Sequence, residues 1–257
     1  MDSRTTITLT FCECGENHIG NQMVGKQINH GMSATQVQRL AQSFEDSELI
    51  DLSSLLDDDT GCEEACVLVI RGGVDKLIDE SASLLPTLLD LDWDKRVYYI
   101  RHRKVVRKHA RSNLIFAQHS QQPCYEQGKG TVIAYSQIPL LENLRNRINE
   151  LFIQQCFDEP IELIAEGNLY KDNMKQGIGW HGDAERKIVI GVRLGGSMRL
   201  KFAWFFRCLP ASRSHEIVLN HGDIYIMSSK AVGSDWSKRS QYTVRHCAGG
   251  DVYTKDK

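Results

Sequence analysis

The chain has 257 residues, and its 41% hydrophobic and 25% charged residues are typical of a globular protein with a sizeable core. The formal net charge of −2 excludes a strongly basic protein, so binding to nucleic acid would need a local basic patch. The sequence has no apolar run that could span a bilayer, no signal peptide and only scattered cysteines. These features predict a soluble intracellular protein without membrane association, in the cytoplasm or the nucleus.

We predict a small α/β module in residues 1–80 and a larger domain in residues 81–257. The module contains three predicted elements: a strand over 6–11, a helix over 33–44 and a strand over 65–70. Ser33 favours the start of the helix because its side chain can cap the first free backbone N–H groups. The strand at 65–70 is continuously apolar and ends at Gly72-Gly73, a pattern typical of a buried strand followed by a turn.

Residues 81–257 are predicted to be mostly β-structure. One amphipathic helix follows Pro139 and extends from Leu140 to Phe152. After this helix the sequence predicts strands at 161–165, 187–194, 198–206, 216–219, 223–227 and 241–245. So many short strands in sequence imply a sandwich or a barrel, and the predicted fold class is α+β.

His181 and Asp183 carry the most specific chemical signal, in the sequence Gly179-Trp180-His181-Gly182-Asp183. Side chains two residues apart in an extended segment point to the same face, so both can bind one ion. Two histidines and one carboxylate occupy one face of an octahedral iron(II) and leave three positions for a cosubstrate and dioxygen. A His-x-Asp pair also arises by chance in surface turns, so the surrounding residues decide its meaning.

The surrounding residues resemble the AlkB-type branch of the 2-oxoglutarate- and iron(II)-dependent dioxygenases. The matching segments are Asn168-Leu169-Tyr170, the His-x-Asp itself, His221-Gly222-Asp223 with the hydrophobic residues after it, and residues 105–116 and 128–135 upstream. The resemblance leaves residues 1–80 unexplained. It implies a double-stranded β-helix of the jelly-roll or cupin-like type that uses iron(II), 2-oxoglutarate and dioxygen. The implied reaction is hydroxylation of a C–H bond, with oxidative demethylation of N-alkylated nucleobases in nucleic acid as the favoured example.

By this resemblance, His181 and Asp183 would bind iron, and Asn168 and Tyr170 would donate hydrogen bonds to 2-oxoglutarate. A late arginine would pair with the distal carboxylate of the cosubstrate, a task that suits the planar guanidinium. The two candidates are Arg239 and Arg245, whose spacing matches the pair of arginines that closes the family pattern. If His246 binds the metal, the alternation of side chains along a strand turns Arg245 away, and Arg239 or an arginine of the preceding strands, such as Arg193, becomes the better partner.

The sequence departs from the family pattern at the third metal ligand. The family has this histidine well before the two arginines, whereas no histidine lies between Gly222 and Lys238. His246 is the preferred candidate because it ends a predicted strand. Asp235, His221 or the lack of a third protein ligand remain as alternatives.

A basic segment extends from Arg101 to Arg111 and could neutralise phosphates of nucleic acid beside the site. No aromatic residue is interleaved with these charges, so a solvated surface strand is the competing explanation. Two other functions stay open. The protein could hydroxylate a protein side chain or a small metabolite, or it could be an inert barrel that serves as a binding module.

Overall fold

The structure is a computed structural model that describes residues 4–18, 20–57 and 61–256. Its strands are β1 (Thr6–Cys12), β2 (Cys14–Asn17), β3 (Gln22–Gly25), β4 (Ser47–Asp51), β5 (Cys66–Ile70), β6 (Arg96–Tyr99), β7 (Lys104–Arg107), β8 (Ser112–Ala117), β9 (Val132–Ala134), β10 (Ile164–Tyr170), β11 (Gly177–His181), β12 (Ile190–Gly195), β13 (Met198–Phe206), β14 (Leu209–Pro210), β15 (His215–Leu219), β16 (Ile224–Met227) and β17 (Tyr242–Gly249). Its α-helices are α1 (Ala34–Ala41), α2 (Gly73–Leu77), α3 (Leu84–Leu89), α4 (Pro139–Ile148), α5 (Ser229–Val232) and α6 (Asp251–Thr254). The predicted α+β class is confirmed, with more strand than helix.

The two helices predicted from the sequence, α1 and α4, begin within one residue of the predicted positions. Ser33 caps α1 in a capping box, because its side chain accepts a hydrogen bond from the Gln36 N–H at 3.2 Å and the Gln36 side chain accepts one from the Ser33 N–H at 2.8 Å. Helix α4 begins at Pro139 and continues as a π-helical turn over Asn149–Ile153. In the part of the chain that is described, no helix has the length and apolar character needed to cross a membrane.

The predicted strands are present in the second half of the chain, with two boundary changes that matter. Strand β13 has the predicted bounds. Strand β10 begins later than predicted and ends at Tyr170, so Asn168 is also a strand residue. Strand β17 continues past the predicted end at Arg245 and therefore includes His246.

Two large sheets pack against each other. The larger has the order β4-β5-β16-β12-β1-β10-β8-β9, and the smaller has the order β11-β17-β13-β14, with β15 also paired to β13. Apolar side chains from both sheets form one cluster, in which Val69 and Tyr225 of the larger sheet meet Phe202, Trp204 and Val244 of the smaller. Two hairpins, β2–β3 and β6–β7, lie outside these sheets.

Three strands of residues 1–80, β1, β4 and β5, belong to the larger sheet, and β2 and β3 form a hairpin outside it. Strand β1 pairs with β10 on one side and with β12 on the other, so that Thr8 is opposite both Asn168 and Arg193. Strand β5 pairs with β16, and β4 pairs with β5. The boundary expected at residue 80 therefore does not separate two sheets, because strands from the expected accessory module complete the larger sheet of the remainder.

The two faces of the larger sheet differ in polarity, as the alternation of side chains along β1 dictates. Ile7, Leu9 and Phe11 are fully buried and join a cluster with apolar residues of α1, α3 and α4. The opposite face carries the threonines of β1 at positions 6, 8 and 10. Tyr225 lies on this second face, opposite Gly191, and also packs in the cluster between the sheets. The polar face is therefore turned toward the smaller sheet.

Candidate metal centre

His181, Asp183 and His246 meet at the β11 edge of the smaller sheet. Strand β11 pairs with β17 in antiparallel fashion, and His181 lies directly opposite His246. The register of this pair shifts between Ile178 and His181, at a β-bulge or a similar irregularity. Asp183 follows the strand, and its backbone N–H donates to the carbonyl of Val232 at 3.0 Å. Sheet pairing thus brings together residues that are far apart in the sequence.

The three side chains converge on one point. The Nε2 atoms of His181 and His246 lie 3.4 Å and 3.7 Å from Asp183 Oδ1. The two imidazole rings meet edge to face, with centroids 4.5 Å apart. Ligand atoms bound at about 2.1 Å and at right angles lie about 3 Å apart, so only a small inward shift would place all three on one ion. Among the described residues, these three form a possible metal-binding triad.

The protonation states suit metal binding. His181 Nδ1 donates to the carbonyl oxygen of Gly179 at 2.7 Å, which leaves Nε2 as the nitrogen that faces Asp183. Burial lowers the pKa of His246, and the neighbouring His181 lowers it further, which favours the neutral imidazole. Burial would raise the pKa of Asp183, but Arg186 and the two histidines hold it well below its usual range. The residue is therefore a carboxylate.

Arg186 forms an ion pair with Asp183. This residue was not identified from the sequence. Its Nε is 3.8 Å from Asp183 Oδ2, and its Nη2 is 2.5 Å from carboxylate oxygens of Glu166 and Glu185. Burial opposes ionisation of Glu166, but Arg186 and Arg111 lower its pKa below the usual value. The guanidinium therefore joins the triad to β10 of the larger sheet. The sequence feature that could have indicated this role is the position of Arg186 three residues after Asp183.

The other candidates for the third ligand lie elsewhere. His221 is exposed, and its Nδ1 accepts a hydrogen bond from the Gly195 N–H at 2.9 Å. Asp235 pairs with Lys230, with 2.7 Å between Nζ and Oδ2. Of the residues considered from the sequence, the structure thus brings His246 to His181 and Asp183.

The two late arginines lie away from the triad, and their positions give no support to the role that the resemblance implied for them. Arg239 lies in an exposed bend. Arg245 is opposite Ala203 and stacks its guanidinium on Phe205 at 4.4 Å and on Trp236 at 5.1 Å. Adjacent residues of a strand face opposite sides, so Arg245 points away from the side on which His246 lies.

Arg193 occupies the polar face of the larger sheet instead. It is 1% exposed, and its Nη1 contacts Thr8 Oγ1 at 2.5 Å and Met198 Sδ at 3.1 Å. Within residues 4–18, 20–57 and 61–256, no carboxylate pairs with this guanidinium, and its Nε has no hydrogen-bond partner. Burial lowers its pKa. A buried cation without a partner is costly, so this position suits an anionic ligand.

Asn168 and Tyr170 lie on the same face as Arg193. Asn168 is 5% exposed, and its Oδ1 accepts hydrogen bonds from Arg111 Nε at 2.6 Å and from Asn113 Nδ2. Its own Nδ2 lies 3.3 Å from Glu166 Oε1 and has a second proton to donate. Burial raises the pKa of Tyr170, so this phenol keeps its proton.

Tyr225 is close enough to Arg193 and to Asp183 of the triad for both charges to act on its phenol. Burial raises the pKa of Tyr225 to about 12, while Arg193 lowers it and Tyr170 and Asp183 raise it. These charges act on one phenol because the groups share the space between the sheets. The ring covers Gly191, where an added Cβ would lie 1.9 Å from Tyr225 Cζ, so only glycine fits at that position.

No protein-family model matches the sequence. Uncharacterized protein R156 of Acanthamoeba polyphaga mimivirus is 40% identical over 261 residues, which cover 98% of this chain and 98% of that protein. Its description names no activity, so a function must be argued from the site itself. The chain belongs to the same protein family as this mimivirus protein.

Proposed function

We propose that this protein is a 2-oxoglutarate- and iron(II)-dependent dioxygenase that hydroxylates a C–H bond. The observation that carries the proposal is the meeting of His181, Asp183 and His246 beside a polar sheet face that holds the unpaired cation Arg193. Two histidines and one carboxylate leave three positions open on octahedral iron(II). Bound iron(II), with 2-oxoglutarate and dioxygen, would supply the oxidising power that C–H hydroxylation requires.

The order of the strands supports a double-stranded β-helix. From β10 onward β10, β12 and β16 belong to the larger sheet and β11, β13, β14, β15 and β17 to the smaller, so the chain changes sheet at each step except from β13 through β15. Strand β1 fills the place between β10 and β12. The central strands β16-β12-β1-β10 then face β11-β17-β13-β15, an arrangement of the jelly-roll kind. In this interpretation the N-terminus supplies the strand that would otherwise follow β17.

Arg193 is the residue that we expect to pair with the distal carboxylate of 2-oxoglutarate. The strand in the last position of the proposed barrel is β1, which presents threonines to the interior rather than an arginine. The guanidinium of Arg193 lies beside one of them, Thr8. A carboxylate bound here would form an ion pair and charge-assisted hydrogen bonds with the Arg193 guanidinium.

The other residues of the polar face would orient the cosubstrate. The Asn168 amide and the Tyr170 phenol are both buried donors whose protons are available. Asp183 stays ionised beside Arg186, so the triad offers one negative and two neutral ligands. This chain therefore provides a metal-binding end and a carboxylate-binding end, which is what a bidentate keto acid needs.

We propose that the substrate is an N-alkylated nucleobase in nucleic acid, which the β6–β7 hairpin would help to bind. Residues 96–107, which form this hairpin, contain five exposed Lys or Arg and no Asp or Glu. The turn of the hairpin also exposes Tyr99 (43%) and Ile100 (52%), and Tyr99 lies opposite Lys104 and 4.9 Å from the His102 ring. Residues 101–111 contain no Phe, Tyr or Trp, and Tyr99 places an aromatic ring beside their charges. Cations with an adjacent aromatic ring suit a single strand.

The experiment that tests this function measures products. Purified protein is incubated with iron(II), ascorbate, 2-oxoglutarate and N-methylated single-stranded DNA or RNA, and succinate and formaldehyde are quantified. We expect formaldehyde to depend on the methylated strand and on His181. Succinate without nucleic-acid-dependent formaldehyde would point to the hydroxylase of a protein side chain or metabolite, and neither product would favour the inert binding module.

A further inference from the structure

A buried chain of polar side chains connects the root of the basic hairpin to Asn168. It begins at Asp94, which is 4% exposed and accepts hydrogen bonds from the Tyr125 hydroxyl at 2.7 Å and from Thr131 at 2.7 and 2.8 Å. The next member is His18, whose Nε2 lies 3.3 Å from Asp94 Oδ2. None of these groups touches the metal triad.

Asp94 fixes the tautomer of His18. Burial would raise the pKa of Asp94, but the donors His18, Thr131 and Tyr125 outweigh it and bring the pKa to about 2. Burial lowers the pKa of His18, so the ring is neutral. Lys108 Nζ lies against His18 Nδ1, and an amine donates to it, so Nδ1 is the acceptor and the ring proton lies on Nε2, 3.3 Å from Asp94 Oδ2. His18 is held at a φ of 69°, a strained conformation for a residue with a side chain.

The position of the Lys108 amine determines how the side-chain amides of Asn113 and Asn168 are oriented. Its Nζ donates to Asn113 Oδ1 at 2.7 Å, so the Asn113 amide must present its NH2 group to Asn168 Oδ1. Arg111 donates to the same oxygen at 2.6 Å. With its oxygen occupied by two donors, Asn168 can turn only its NH2 group toward a ligand.

We propose that Lys108, held by His18 and Asp94, is a positioning residue that fixes the Asn168 amide with its NH2 group toward the anionic cosubstrate. This inference rests on the proposed function, because it assumes that 2-oxoglutarate binds beside Asn168. It assigns a role to a partly buried lysine that the metal chemistry does not use. The burial of the amine is consistent with this role, since it brings the pKa of Lys108 to about 7 and keeps the group out of bulk solvent.

The test is a double-mutant cycle on 2-oxoglutarate affinity, measured by anaerobic titration of the full chain in iron(II). Lys108→Met should weaken 2-oxoglutarate binding about ten-fold, the scale of one hydrogen bond to a charged group. In the Asn168→Ala background the same change should have no further effect, because Lys108 acts through Asn168. Iron(II) affinity should not change. The matched control is Lys129→Met, at an exposed lysine, which should bind as the wild type does.

Two conservative variants guard against a folding defect. Lys108→Gln keeps a donor for Asn113 and should retain most of the affinity, whereas Asn113→Asp keeps the shape but loses the donor and should weaken binding as Lys108→Met does. Equal losses from Lys108→Met with and without Asn168, or no loss at all, would overturn the positioning role. A wild type that binds iron(II) but no 2-oxoglutarate would instead overturn the proposed function, and the role of Lys108 with it.

Discussion

His181 and His246 are cross-strand partners, so the pairing of β11 with β17 sets the separation of their rings. This relationship also explains why Arg245 is absent from the site. The residue next to a metal-facing side chain on a strand must face the other way. In the family that the sequence resembles, the third ligand precedes the arginines, whereas in this chain His246 and Arg245 are neighbours and only His246 faces His181 and Asp183.

Removal of His246 should abolish tight metal binding. We expect His246→Ala to lower iron(II) affinity by about 100-fold or more, because it removes one of three protein ligands. The control is His221→Ala, at a histidine that accepts a hydrogen bond from Gly195 and lies outside the triad. Calorimetric titration with iron(II) or manganese(II) measures both. Equal losses in the two variants would contradict the assignment.

Arg193→Met should separate ligand binding from stability. We expect 2-oxoglutarate affinity to fall roughly 30-fold or more, since loss of one partner of a buried charge pair costs about 2 kcal/mol or more. The ligand-free protein should unfold at an equal or higher urea concentration, because a buried cation without an anion is removed. Arg245→Met, on the outer face, should not change 2-oxoglutarate affinity. A loss of 2-oxoglutarate affinity in Arg245→Met but not in Arg193→Met would identify Arg245 as the residue that binds the distal carboxylate.

Parts of this site could be predicted from the sequence and others could not. His181 and Asp183 could be found because their spacing in an extended segment is a local property. The contact between Thr8 and Arg193 joins residues 185 positions apart, and no periodicity in either strand reports which strands will pair. For the same reason the sequence did not predict the position of β1 in the sheet. Its alternating threonines and apolar residues predicted a strand, but not that this strand pairs with β10 and β12.

Gly191→Ala should destabilise the fold. The added Cβ would overlap the Tyr225 ring at 1.9 Å, and overpacking of this kind costs about 1–3 kcal/mol in the free energy of unfolding. Gly179→Ala is the matched control, because the nearest atom to its added Cβ is 4.0 Å away. Urea unfolding followed by fluorescence compares the two. A loss no greater for Gly191→Ala than for Gly179→Ala would show that Tyr225 does not occupy this position.

The partly buried amine of Lys108 predicts a pH-dependent stability. Its pKa falls from 10.5 to about 7 on folding, mainly through burial, so between these values the unfolded chain binds a proton that the folded chain does not. Stability contributed by this group should therefore rise from pH 7 to pH 9, with an upper limit of about 1.4 kcal/mol per pH unit. Urea unfolding at pH 7, 8 and 9 should show this rise in the wild type relative to Lys108→Met. Parallel curves for the two proteins would contradict it.

The basic hairpin predicts how nucleic acid binding depends on salt. Replacing Arg101, Arg103 and Lys104 with alanine should weaken binding to single-stranded DNA and reduce the slope of log K against log salt by about 2, as expected for three lost phosphate contacts. Alanine at three exposed cations elsewhere, Lys26, Arg207 and Lys238, removes the same charge. An equal change in slope for both triple variants would indicate a nonspecific effect of net charge rather than a binding surface.

The most direct test of the central claim is anaerobic binding of iron(II) and 2-oxoglutarate, followed by the weak visible metal-to-ligand band. We predict that the band forms in the wild type and is lost in His181→Ala, Asp183→Ala and His246→Ala. A band that survives in His246→Ala would remove that residue from the metal site. A wild type that binds iron(II) but never develops the band would contradict the dioxygenase function itself.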